Sequence, residues 1–187
     1  MRGHFRYGIL DSNLCHARYD RMNKVTTSVQ IVLAQHCNGY KNPRLFGGQL
    51  MSWIDVIGAV AAQRFTGMQV TTVAIDHLNF MKPAFLGDTV VQKAMVTWSG
   101  KTSLEVRVDT YVEKLNGERE LTNQAYVVFV ALGEDGKPTP VPKFVPETDE
   151  EKREYEAAAD RRRIRLAEAW KQERLRRKLL KILPQLK

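Results

Sequence analysis

The chain has 187 residues, 43% hydrophobic and 27% charged, the size and composition of one globular domain with extensions. No run of about 18 apolar residues occurs, so a membrane-spanning helix is not expected. The formal charge of +8 falls unevenly, +5 on residues 149–187 and +3 on residues 1–148, so the basic excess belongs to the tail and the domain itself leans only mildly towards anionic ligands.

Residues 1–24 lack the apolar core of a secretory signal and read as a poorly ordered N-terminal extension. Arginines with few acids keep a mitochondrial transit peptide open, although Asp11 and Asp20 count against one. Met22 stands just before the patterned sequence, so residues 1–21 read as an optional start. Cys15 and Cys37 are too few for a disulfide framework and neither has a partner at metal-ligand spacing, which makes a reducing cytoplasm the default location.

Val25 to Leu33 is rich in β-branched residues and predicts a first strand, with Val29, Ile31 and Leu33 on one face. A loop follows, Gln35 to Arg44, marked by Asn38-Gly39 and Asn42-Pro43 as turn signals. From Leu45 to Phe65 the sequence is apolar almost all round if wound as a helix, which predicts a buried central helix stopped by Thr66-Gly67. Asp55 is the anomaly within it. An isolated buried carboxylate is costly, so this one must be paired, capped or protonated, and perturbed acids of that kind mark functional sites. The competing reading makes Asp55 a structural acid, three residues after Ser52 in a capping box at the helix start. Gly47 and Gly48 stand where the helix offers free N–H groups and the positive end of its dipole, and there a carbonyl oxygen could be polarised with the acid about one turn further on.

After Val70 the apolar period drops to two. Val73 and Ile75 share one face and Leu78 and Phe80 the other, so a bulge is predicted near Asp76-His77, two polar residues of interest for a ligand. Met81-Lys82-Pro83 ends that strand and Phe85 to Asp88 turns, with Asp88 bonding its own turn. Thr89 to Trp98, Ser103 to Glu113 and Leu121 to Leu132 make three further strands. In the second of these, Leu104, Val106, Val108, Thr110 and Val112 face inward and Glu105, Arg107, Asp109 and Glu113 outward. Asn116-Gly117 forms a hairpin turn. Lys137 to Pro146, with four prolines, reads as a linker. Strand, helix, then a run of strands implies an α+β fold in which an antiparallel sheet wraps one long helix, and such a sheet leaves edges that a homodimer at least would cover.

From Glu147 to Leu183 acids crowd the start and Lys and Arg the end, the arrangement a helix dipole favours. The domains are therefore drawn as 1–24, 25–142, and 143–187 for the linker and basic C-terminal helix. That helix is expected to pack on the oligomer or to be partly frayed. Binding of nucleic acid or an acidic membrane surface by Arg161-Arg162-Arg163 and Arg174 to Lys178 is the weaker reading.

His4, His16, His36 and His77 are scattered, so no metal site is predicted, and no phosphate-binding loop or dinucleotide fingerprint occurs. Ser52 has no base beside it in sequence and reads as structural. What remains is chemistry by a carboxylate. The stretch Leu45-Phe46-Gly47-Gly48-Gln49-Leu50-Met51-Ser52-Trp53-Ile54-Asp55 resembles the signature of the hotdog-fold acyl-CoA thioesterases, the cytosolic acyl-CoA hydrolase group. The resemblance runs from about Val25 to Val141.

It implies hydrolysis of acyl-CoA, with Asp55 as general base or nucleophile and backbone amides at Gly47 and Gly48 holding the oxyanion. The family also places an asparagine in the loop before the glycine pair, with a glycine three residues after it. A gapless register puts Tyr40 and Pro43 in those slots, so Asn38, then Asn42, are candidates for that role. Lys101, Thr102 and Ser103 match a segment relatives use beside CoA, against the reading of an ordinary hairpin with a solvated lysine. Phe80, Pro83, Gly87 and Asp88 match the family pattern as structural residues, and His77 is a further candidate ligand contact. No cofactor is implied beyond the coenzyme A of the substrate. The resemblance also implies hexamers built from dimers, with active sites shared between subunits. Two other functions compete: a hydratase or dehydratase, which would want a histidine on the helix, and a non-catalytic acyl-CoA sensor.

Overall fold

The computed structural model describes residues 24–39 and 41–182, with side chains through Arg177. The proposed N-terminal extension, apart from Lys24, and Tyr40 lie outside the described residues. The element order is β1 (Val25–Ile31), a 3₁₀ turn (Ala34–His36), β2 (Cys37–Asn38), β3 (Arg44–Leu45), α1 (Gly47–Thr66), β4 (Gln69–Phe80), β5 (Thr89–Ser99), β6 (Ser103–Glu113), β7 (Arg119–Leu132) and α2 (Asp149–Ile182). Five strands form one sheet in the order β1-β5-β6-β7-β4, all neighbours antiparallel, while β2 and β3 form a separate two-stranded ribbon. Strands β5, β6 and β7 are the predicted run of strands. The strand entered directly after α1 crosses to the far edge beside β7.

Helix α1 lies on the face of the sheet lined by Val96, Leu104, Val106, Val108, Ala125, Val127 and Phe129, all buried. Gly58 is the closest approach: a Cβ there would stand 3.1 Å from the Phe129 ring and 3.7 Å from Val108. Leu50, Trp53, Ile54, Ile57, Ala61 and Ala62 are buried with it. At roughly 2 kcal/mol for each large apolar side chain buried, this face is a main contributor to the stability of the unit. The predicted stop is present, with Gly67 at φ 69° and its N–H on the Gln63 carbonyl at 2.7 Å. The helix is not covered all round, however. Gly48, Met51, Ser52, Val56 and Gln63 form an open stripe on which Val56 is 60% exposed.

Two faces differ from the sequence pattern. Along β1 and the two residues after it, Val29, Ile31 and Leu33 share a face as expected, but all three are exposed, whereas Thr26 and Val32 are buried. Alternation tells which residues share a face and not which face meets the helix. On β6, Glu105, Arg107 and Asp109 do point away from α1, but Glu105 and Asp109 are buried. Hydrogen bonds compensate that burial: the Thr97 hydroxyl donates to Glu105 at 2.8 Å, Gln124 to Asp109 at 2.9 Å, and Arg107 pairs with Asp109 at 2.8 Å.

Contacts divide the chain after Phe144. Within the first unit, the Phe144 amide donates to Ser99 Oγ at 2.7 Å and its ring lies 6.2 Å from that of Phe65. The second unit holds α2. There Thr148 Oγ1 accepts from the Glu151 amide at 3.1 Å while Glu151 Oε2 accepts from the Thr148 amide at 3.2 Å, a reciprocal cap that fixes the helix start. Among the described residues no helix is long and apolar enough to cross a membrane.

Candidate active site

Helix α1 starts at Gly47, its N-cap is Phe46, and no side chain caps it. Ser52 and Asp55 therefore sit inside the helix, and the capping-box alternative for Asp55 is overturned. The Asp55 carboxylate is half-buried at the margin of the open stripe. It takes a hydrogen bond from the Thr72 hydroxyl of β4, Oγ1 to Oδ1, at 2.5 Å. Nothing in the local sequence marks Thr72, because a hydroxyl partner seventeen residues away in another element leaves no local pattern.

At the head of the helix, the Phe46 carbonyl accepts from the amides of Gln49 and Leu50 at 2.9 and 3.1 Å. The amides of Gly47 and Gly48 have no acceptor among the described residues. Two aromatic rings border them. A Cβ on Gly48 would stand 2.5 Å from the Phe46 ring, and one on Gly47 would stand 3.5 Å from the ring of Phe80. Phe80, which the sequence pattern marks as structural, is thus part of the rim of this cradle.

The glycine pair and the acid are further apart than expected. Gly48 and Asp55 are seven residues apart, two turns instead of one, or roughly 10 Å of axial rise. Free N–H groups at a helix start point along the axis towards the N-terminus, here away from Asp55. One thioester carbonyl seated on those amides would lie out of reach of the acid on the same helix.

The loop ahead of α1 is fixed from within. The His36 carbonyl accepts from the Phe46 amide at 2.9 Å, His36 Nδ1 accepts from the Leu33 amide at 3.1 Å, and the ring stands edge-on to Trp53 at 5.0 Å. These contacts give His36 a structural role. Asn38, paired with Arg44 across the small ribbon, and Asn42 are both exposed, and neither side chain is hydrogen-bonded among the described residues.

The predicted phase slip is a bulge. Register between β4 and β7 shifts between Asp76 and Asn79, and His77 there has φ 50° and is exposed. A second shift, between Thr72 and Ala74, follows directly on the residue that bonds Asp55. The turn of Lys101, Thr102 and Ser103 is tied by Gly100 N–H to the Ser103 carbonyl at 2.7 Å, Ala131 N–H to Thr102 at 3.0 Å and Val141 N–H to Lys101 at 2.9 Å. It stands at the Thr72 end of the sheet: Thr72 pairs with Phe129, Phe129 with Leu104, and Ser103 is the next residue. Asp88 accepts from the Phe85 amide at 2.7 Å, the turn bond expected of it. Among the described residues no three His, Cys, Asp or Glu side chains gather as metal ligands would.

Residues 42–117 match the family model for the thioesterase superfamily. The uncharacterized acyl-CoA thioester hydrolase YkhA of Bacillus subtilis is 46% identical over 108 residues, which are 57% of this chain and 63% of that protein, so the chain spans less than two thirds of that relative's length. An acyl-CoA hydrolase of Staphylococcus aureus, solved in complex with butyryl coenzyme A and coenzyme A, superposes with a TM-score of 0.76 at 34% identity, covering 84% of this chain and 96% of that one. A hexameric thioesterase of Yersinia pestis superposes with a TM-score of 0.58 at 30% identity, covering 63% and 94%. The helix wrapped by a five-stranded sheet is the hotdog fold, and the chain belongs to the thioesterase superfamily.

Proposed function

We propose that the chain hydrolyses acyl-CoA thioesters to a free carboxylic acid and coenzyme A, with Asp55 as the catalytic carboxylate. The observation that carries this reading is the placement of that acid: inside α1, in no cap, half-open to solvent and held by Thr72 at 2.5 Å. A thioester is already an activated acyl group, so orienting a nucleophile and stabilising the oxyanion suffice. A positioned general base contributes about 10²–10⁴-fold and an oxyanion donor about 10²–10³-fold. Asp55 takes the proton of the attacking water as the carbon–sulfur bond breaks and the thiolate of CoA leaves, or it attacks the carbonyl to give an anhydride that water then opens.

The free amides of Gly47 and Gly48 serve as the oxyanion donors. Because they point away from the acid of their own helix across roughly 10 Å of rise, the donors that meet a given Asp55 come from a second copy. A homo-oligomer follows, dimeric at least. The hexameric Yersinia neighbour and the exposed Met51, Val56, Val29 and Ile31 support that arrangement. Asn38 or Asn42 orients the water or carbonyl, and Lys101, Thr102, Ser103 and His77 are contacts for the CoA portion. The reaction needs no cofactor beyond the coenzyme A of its substrate, and a cytosolic location suits it.

The test is thiol release from acyl-CoAs of graded chain length, monitored with a thiol reagent, for the wild type and Asp55→Asn. Turnover abolished by that substitution is the expected result. Tight binding without turnover in the wild type would replace hydrolysis with an acyl-CoA sensor, and turnover surviving in Asp55→Asn would remove the acid from the mechanism.

A further inference from the structure

Asn123 is fully buried on β7, on the helix side of the sheet between Thr110 of β6 and Phe80 of β4. Its Nδ2 donates to the Asn79 carbonyl at 2.6 Å. Its Oδ1 is the one buried side-chain polar atom without a hydrogen-bond partner among the described residues. A carbonyl only accepts, so the nitrogen must face Asn79 and the oxygen is left over. Few such orphaned atoms survive in a native core, and each calls for a reason to keep the residue.

The reason lies in what Asn79 belongs to. It closes the β4 bulge, where ladder pairing lapses between Asp76 and Asn79 and His77 takes φ 50°. Beyond the bulge, the amides of Met81 and Lys82 both donate to the Thr122 carbonyl, at 3.0 and 3.2 Å. The Asn123 amide is thus the side-chain anchor at the point where the strand resumes its pairing. The residue after Asn79 is Phe80, whose ring borders Gly47 at the open head of α1.

We infer that Asn123 is a positioning residue for the thioester cradle: by fixing the bulge through Asn79, it sets the Phe80 ring and through that ring the free amides of Gly47 and Gly48. This rests on the thioesterase reading above. Asn123 touches no reacting atom. A shift of a few tenths of an ångström at the bulge carries through Phe80 to donors whose value depends on where the oxyanion forms.

The experiment measures kcat and KM of the full chain as Asn123→Asp, Phe80→Ala and the double variant. Asn123→Asp keeps shape and volume but offers no N–H to Asn79. Each single change is expected to lower kcat about 10–100-fold with KM nearly constant, the signature of a contact that matters only in the transition state. The double variant is expected to lose little more than either single one, because both act along one path. A folded Asn123→Asp with wild-type kcat overturns the inference, as does an additive double variant. If Asn123→Asp does not fold, Phe80→Ala decides alone, since Phe80 is half-exposed and wild-type kcat there overturns it equally. A wild type without turnover sinks both readings, whereas an active wild type with insensitive variants sinks this one only.

Discussion

The Thr72 hydroxyl reaches from β4 to the Asp55 carboxylate of α1 at 2.5 Å, and among the described residues it is the hydrogen bond that holds this acid. Thr72 is paired in register with Phe129, on the side of the sheet that faces α1, and the ladder of β4 with β7 becomes irregular just beyond it, between Thr72 and Ala74. A hydrogen bond to a charged group contributes about 1.5–3 kcal/mol, or about 10–100-fold if it is needed in the transition state. Thr72→Val keeps the shape and β-branching and removes the hydroxyl. Its kcat is expected to fall within that range in the thiol-release assay while Thr72→Ser stays near wild type, and equal kcat for Val and Ser variants would assign the contact to packing alone.

His77 tests the bulge itself. A non-glycine residue at φ 50° sits in the left-handed region, where asparagine is tolerated and a β-branched residue is not. His77→Asn is expected to match the wild type in chemical denaturation. His77→Val is expected to lose about 1–2 kcal/mol. If His77 also meets CoA, His77→Asn raises KM without changing stability, which separates the backbone role from the binding one in a single variant.

The close of α1 carries a similar constraint with no bearing on chemistry. Gly67 has φ 69° and caps the helix through its N–H on Gln63. Gly67→Ala is expected to cost about 1 kcal/mol or slightly more, measured by denaturant midpoint, and to leave kcat unchanged. A neutral result would mean that the helix end relaxes into another cap.

What could be read from the sequence divides along physical lines. The long apolar helix, its glycine stop, the hairpins and the bulge near Asp76-His77 are properties of consecutive residues, and period and turn chemistry reveal them. Asp55 stood out because a carboxylate in an apolar segment violates the local pattern. Thr72 and Asn123 did not, since a threonine in a strand and an asparagine near a hairpin are unremarkable until the sheet brings one beside α1 and the other beneath the bulge. The outward face of β1 was illegible for another reason: Val29 and Ile31 are apolar yet exposed at a sheet edge, and a single chain's pattern does not say whether its own helix or another copy covers them. Glu105 and Asp109 show the converse, acids on the outer face that are buried, with donors from neighbouring strands offsetting the cost.

The separation of the two halves of the proposed machinery gives the sharpest test of the oligomer. Gly48→Pro removes one free N–H at the second residue of α1 without taking a donor from any backbone acceptor, and its Cβ displaces the Phe46 ring, which would stand 2.5 Å away, so it disables the donor side of the cradle. Asp55→Asn removes the acid. Each variant alone is expected to be inactive or nearly so. If donors and acid came from one chain, every chain in a mixture would still lack one of them, and mixing would restore nothing. If they come from two copies, a mixed dimer pairs an intact acid on one chain with intact amides on the other. Random reassembly of equal amounts then recovers about a quarter of wild-type turnover, since about half the dimers are mixed and each has one complete site of two. The measurement is thiol release after the two variants are mixed, dissociated and reassociated, with each variant treated alone as the control. Recovery near that fraction places Asp55 and the Gly48 amide of one site on different chains, and no recovery would put both back on a single helix despite the roughly 10 Å between them.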